Sequence, residues 1–218
     1  MRLSEATRRL IADPYAPGSL AGRARARRWE LLLARFPDLP DMDVVDLGGV
    51  VAGWERAPVR PRSVTLVNVF AQESAAGIEA LVGDACALNG TLAGRRFDLV
   101  VSNSVIDEVG GHHRRLAFAA TVRGLADRHW VQAPNRYFPL DPRWLFPAFA
   151  LLPLEARVAV TRRWPVGHRY TRDHDAALRQ VQAVEMLSRT ALAGYFPGSE
   201  ILVERAAGLP KSLIALRA

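Results

Sequence analysis

Unbroken apolar runs, each stopped by glycine or a polar cluster, recur along the first 134 positions. "DVVDLG" at 43–48, "SVTLVNVF" at 63–70, "FDLVVSNS" at 97–104 and "RHWVQAP" at 128–134 read as strands, with a weaker one in "EALVGDA" at 79–85. Runs that are apolar throughout, rather than alternating, suit a parallel sheet covered on both faces. The gaps between them leave room for crossover helices, most clearly over 109–126. Residues 1–36 read as helix through Leu3, Leu10, Ile11, Leu20, Trp29, Leu32, Leu33 and Phe36, split by "DPYAPGS" and ended by "FPDLP". The chain closes with "EILVERAAGLPKSLIALR", two strands about a Gly-Pro turn that predict an antiparallel hairpin. Between 134 and 170 the pattern gives way to prolines and aromatics, an inserted segment, after which a helix over about 173–194 leads back to the hairpin. No repeat or linker interrupts the chain, so a single α/β domain over 1–218 is expected.

With 218 residues, half of them apolar, the chain can bury a full core. No run of 18 apolar residues predicts a membrane-spanning helix, and "MRLSEATRRL" is polar where an export signal would be apolar. The single cysteine, Cys86, excludes an internal disulfide, fits a reducing compartment and reads as a small packing residue. A cytoplasmic protein, monomeric or homodimeric, is the expectation. The net charge of +7 raises nucleic acid as a partner. However, Lys211 is the only lysine among 29 basic residues, a bias typical of GC-rich bacterial composition rather than of a phosphate-binding surface.

In open α/β sheets ligands bind beyond the carboxyl ends of the strands. The positions there are Gly48 and Gly49, then Asn68, then Asp84 and Ala85, then Ser102, Asn103 and Ser104. The G-x-G-x-x-G spacing of a dinucleotide loop is absent, and Pro58 and Pro61 stand where its helix would continue. A phosphate loop, a G-x-S-x-G elbow and a metal-ligand cluster are also missing from the pattern, so no metal is expected.

Six segments in order resemble the class I S-adenosylmethionine-dependent methyltransferases, specifically a bacterial branch of the type 11 small-molecule group. They are "VVDLGG", "VTLVNVF", "GDACAL", "FDLVVSNSVIDEVG", "WVQAPNRYFPLDPRWLFPAF" and "ERAAGLPKSLIAL", spanning about 20–217. The resemblance implies a Rossmann-like, mostly parallel seven-stranded sheet with an antiparallel C-terminal hairpin. It also implies methyl transfer from S-adenosylmethionine to oxygen or nitrogen of a small molecule, a natural product or a cell-envelope metabolite. By the same resemblance Gly48 and Gly49 would hold the methionine part, Asp84 and Ala85 the adenine, and Asn103 would sit near the tail or the reacting methyl, with Asp46 and Ser104 also cofactor-binding. Asn68 stands where the family has a ribose-binding carboxylate. The family's third glycine falls at Ala52, one place before Gly53, so the loop departs from the pattern while Val50 and Val51 are expected to turn into packing.

Where the family commonly has a Glu-His pair, this chain has Asp107-Glu108, followed by His112 and His113. Any of the four is a candidate proton acceptor, and the histidines read equally as a solvated helix start. His168 is a further candidate at the substrate. Tyr137, Phe138, Trp144, Phe146 and Phe149 could wall an acceptor pocket or simply pack the insertion. Two other readings stand beside this one. A nucleic-acid methyltransferase would show [DNS]-P-P-[YFW] where this chain has "SNSV". A degenerate, non-catalytic fold serving as a partner subunit would explain Asn68 and the missing histidine.

Overall fold

A computed structural model describes residues 20–141, 143–167 and 169–218. The helical turns expected before residue 20 therefore lie outside the described residues, as does His168. Seven strands form one sheet: β1 (Asp43–Leu47), β2 (Ser63–Asn68), β3 (Ile78–Val82), β4 (Leu99–Asn103), β5 (His129–Pro134), β6 (Glu200–Ala206) and β7 (Leu209–Arg217), in the order β3-β2-β1-β4-β5-β7-β6. β1 through β5 pair in parallel. β7 runs against both β5 and β6, so six strands share one direction. The hairpin turn falls on Ala207 and Gly208, both with positive φ, one step before the predicted Gly-Pro, and Pro210 lies within β7. Two left-handed residues in succession match the right-handed twist of the flanking strands.

The apolar runs divide by pleat. Val45, Leu47, Val67, Val100, Val131 and Ala133 face one cluster, completed by Phe118, Ala119 and Val122 of α3 (His112–Leu125) and by Leu192 of α6 (Arg189–Tyr195). Val44, Leu66, Leu99, Val101 and Trp130 face the other, beneath Leu32 of α1 (Leu20–Arg35) and Trp54 of α2 (Val51–Glu55). Arg28 and Arg35 tie α1 to Glu204 and Glu200 of β6.

One expectation about the connections holds and two change. α2 is a stub of five residues, ended before Pro58 and Pro61 as the sequence implied. The connections after β2 and β3 form no helix; the first, 69–77, is shorter than the dozen residues a helical crossover needs. The long helix over 173–194 is two: α5 (His174–Ala183) and α6. Between them Val184–Ser188 is extended, because Glu185 N–H donates to the Asp107 carbonyl (2.8 Å) and Leu187 N–H to that of Pro134 (3.3 Å). Ser188 then caps α6 by accepting from Ala191 N–H. The insertion, which includes α4 (Leu154–Arg163), shares a small core with α5 and the residue after it: Trp144, Phe149, Val158, Ala177, Val181 and Val184.

Candidate functional site

The turn after β1 is built by close approach. Gly48 has φ +86°, its N–H donates to the Val67 carbonyl (2.7 Å), and a Cβ there would strike Val105. A Cβ on Gly49 would land on the Asp46 carboxylate. Asn68 reaches back from the end of β2, donating from Nδ2 to the carbonyls of Gly48 (3.1 Å) and Gly49 (2.9 Å) and accepting Val69 N–H. Gln72 adds a second brace, donating to the Gly49 carbonyl (3.1 Å) and accepting Val51 N–H (3.0 Å). The side chain expected at a ribose is thus turned into the glycine turn.

Asp46 is buried; its Oδ2 accepts from Trp54 Nε1 (2.8 Å), and Oδ1 has no hydrogen-bond partner. Burial pushes its carboxyl up to about 6, against the pull of the Trp54 bond and of Arg25 nearby. A cavity of about 200 Å³ opens here, bordered by Asp46, Gly48, Gly49, Val50 and Asn103 from the sheet side and by Arg25, Arg28 and Trp29 of α1. Trp29 meets Trp54 edge-on at 5.4 Å. Val51 packs into the core as expected, whereas Val50 stays at the cavity wall.

Beyond β2, Val69 and Phe70 are large apolar residues left exposed at 73% and 52%. Beyond β3, Asp84 takes both oxygens to Arg114 of α3 (3.0 and 2.8 Å) and accepts Cys86 N–H (2.9 Å); Ala85 is buried beside it. Partial burial raises the Asp84 carboxyl, but Arg114 and the Cys86 N–H outweigh it and hold it below the ordinary range. Ser102 is buried and bonded to the Leu47 carbonyl, while Asn103 is exposed at the first cavity. Ser104 has φ +58° and bonds Gln132 (2.9 Å), so its hydroxyl belongs to the strand end.

The catalytic candidates separate. Asp107 is fully buried under Arg143, whose Nη1 donates to it at 2.7 Å and to Glu108 at 2.9 Å. The same guanidinium grips both oxygens of Asp141 (2.8 and 3.0 Å) and lies 5.9 Å over the Trp144 ring. Burial drives the Asp107 carboxyl up to about 6 although Arg143 opposes it. Glu108 is shared between Arg143 and Arg169. Asp107 Oδ2 therefore ties the loop after β4 to the insertion through Arg143, while its Oδ1 has no hydrogen-bond partner. His112 accepts or donates at Tyr195 OH (2.8 Å), and His113 is exposed at the start of α3.

Of the aromatic candidates, Tyr137 is exposed, Phe138 is half-buried, and Trp144 is buried against Phe149, with rings stacked at 4.2 Å and 15°. Trp144 and Phe149 line a second cavity of about 260 Å³ within the insertion. Sequence reasoning passed over Arg143, Gln72 and Arg114. Only "DPR" hinted at the first, since Asp141 two residues before an arginine can form a local clamp; the others are single polar residues whose partners are remote in sequence.

No protein-family model matches the sequence, and no curated protein matches it significantly. Solved structures do match the fold. Magnesium protoporphyrin IX methyltransferase from Synechocystis, crystallised with S-adenosylhomocysteine, superposes with a TM-score of 0.53 at 12% identity, over 90% of this chain and 84% of that one. The fold is that of the S-adenosylmethionine-dependent methyltransferases. The N-methyltransferase NodS from Bradyrhizobium japonicum, also with S-adenosylhomocysteine, has a TM-score of 0.51 at 12% identity over 88% and 85%. A SAM-dependent methyltransferase from Anabaena variabilis has 0.51 at 12% over 99% and 98%. In this methyltransferase fold the glycine turn, the two following strand ends and Asn103 lie along one edge of the sheet, at the carboxyl ends of β1–β4.

Proposed function

We propose that this protein is a cytoplasmic S-adenosylmethionine-dependent methyltransferase of one domain, acting on oxygen or nitrogen of a small-molecule acceptor. The observation that carries the reading is the half-satisfied Asp46 carboxylate, set beside Gly48 and Gly49 in the wall of the first cavity. S-adenosylmethionine, when bound, supplies an electrophilic methyl on a positively charged sulfur. The residues present suit such a ligand: Asp46 offers its unpaired oxygen to the amino group, and Arg25 brings positive charge for the carboxylate, Arg28 being paired with Glu204. Asp84 and Ala85 would border the adenine, with exposed Val69 and Phe70 as its apolar flank. Asn68 would act through the turn it braces, and Asn103 would adjoin the reacting end.

Methyl transfer is an in-line displacement, so the protein's contribution is chiefly orientation and exclusion of water. Asp107 and Glu108 are held by arginines, which leaves His112, His113 or His168, or an acceptor that gives up its proton readily, to complete the reaction. Calorimetric titration with S-adenosylhomocysteine tests the reading. Saturable binding is expected, and its loss in Asp46→Ala with the fold intact. A wild-type protein that gives no binding would favour a non-catalytic partner subunit, the reading that Asn68's engagement in the turn supports.

A further inference from the structure

We propose that the cavity inside the insertion binds a small molecule with an apolar, ring-bearing body and one carboxylate, and that Arg157 recognises the carboxylate. This deepens the methyltransferase reading by naming a class of acceptor. The apolar part of the wall is a ready slab. Trp144 and Phe149 are stacked, and Leu154, Val184 and Met186 continue the surface. The indole N–H of Trp144 is already donated to Thr161 Oγ1 (2.8 Å), so the ring brings no unpaired polar group to the wall. At about 260 Å³ the space suits a single ring with a short chain.

The charges in the wall decide what such a molecule carries. Asp141 has both oxygens on Arg143, and Glu185 is paired with Arg115 at 2.8 Å and approached by Arg136 at 3.9 Å. Each acidic group there already has an arginine. Arg157 differs: its Nε is buried and has no hydrogen-bond partner, and among the described residues no carboxylate pairs with it. A partly buried guanidinium without a counter-charge is costly, and a carboxylate is the planar acceptor that matches its fork. The location also suits an acceptor. Glu185, in the cavity wall, donates its N–H to the Asp107 carbonyl, which places the cavity against the loop that follows Asn103 and β4. A carboxylate neutralised by Arg157 is a poor nucleophile, so it serves as the handle while another group receives the methyl.

Calorimetry with the full chain, using 3-phenylpropionate and its uncharged amide 3-phenylpropanamide as probes, tests the assignment. The acid is expected to bind about tenfold more tightly than the amide, and Arg157→Gln to bring the two within about twofold. Failure of the acid to bind, equal binding of acid and amide to the wild type, or a preference retained in Arg157→Gln would overturn it. If Arg157→Gln does not fold, Arg157→Lys, which keeps the charge and loses the fork, should reduce the preference about threefold; an unchanged preference would count against Arg157. S-adenosylhomocysteine titrated into the same samples separates the two readings. Its binding should survive Arg157→Gln; if the wild type prefers the acid yet binds no S-adenosylhomocysteine, the carboxylate site stands and the methyltransferase reading fails.

Discussion

Trp54 Nε1 donates to Asp46 Oδ2 at 2.8 Å across the first turn after β1, while the other oxygen of that buried carboxylate is unpaired. The bond joins the stub helix to the sheet and leaves half of an acid desolvated at the cavity. Such an arrangement costs stability whenever the acid is ionised, and it has a use only if something positively charged comes to meet it.

Because burial lifts Asp46 to about 6, the folded chain keeps a proton that the unfolded chain releases nearer 3.8. The folded state binds more protons in that window, so this group's contribution to stability falls as pH rises from about 4 to 6 and is level above. Asp46→Asn stays neutral throughout. It should match the wild type near pH 4 and exceed it by about 3 kcal/mol at pH 8 in urea denaturation, while weakening S-adenosylhomocysteine binding at pH 8 about tenfold. A variant no more stable than wild type at pH 8 would show that the carboxylate is better solvated than its burial indicates.

Gly49→Ala places a methyl group on the Asp46 carboxylate and should destabilise by about 1–3 kcal/mol. In an Asp46→Ala background the same change has room, so a double-mutant cycle should return a coupling of about 1 kcal/mol or more. Additive effects would mean that the two residues do not collide.

For Asn68 the structure reverses what family resemblance suggests. Asn68→Asp looks like the restoration of a ribose carboxylate, but here it would set an anion against the carbonyls of Gly48 and Gly49. We expect a loss of about 1–3 kcal/mol in stability and no gain in cofactor affinity. Tighter binding with unchanged stability would show that the side chain turns outward.

Arg143→Ala leaves Asp107 and Asp141 buried without their cation, and should destabilise by about 3–5 kcal/mol in chemical denaturation. Asp107→Asn, which leaves Arg143 its bonds to Asp141 and Glu108, should cost less. If it abolishes turnover while the fold and cofactor binding persist, Asp107 acts on the reacting groups.

What the sequence made legible was whatever depends on local pattern. β1, β2, β4, β5 and α3 follow from apolar runs and a helical period, and the end of α2 from Pro58 and Pro61. The break at Val184–Ser188 was hidden because its cause is tertiary: the backbone of Glu185 and Leu187 finds partners at Asp107 and Pro134, far off in sequence. The candidate site divides the same way. Positions just past the strands could be named in advance, since topology puts them on one edge. The direction of Asn68 and the burial of Asp107 depend on Gly48, Gly49 and Arg143 arriving from elsewhere, and residue type alone does not encode that.

The separate small core of the insertion has a kinetic meaning. Trp144, Phe149, Val158, Ala177, Val181 and Val184 pack with one another, and Arg143 with its carboxylates is a main tie to the loop after β4. A segment with its own core, joined to the rest by polar ties at Asp107, Glu108 and Glu185, can open while the sheet stays intact. Amide hydrogens of α4 and α5 should therefore exchange well before those of β1, β4 and β5. Admission of a molecule to the cavity beside that core would then be governed by the frequency of that opening.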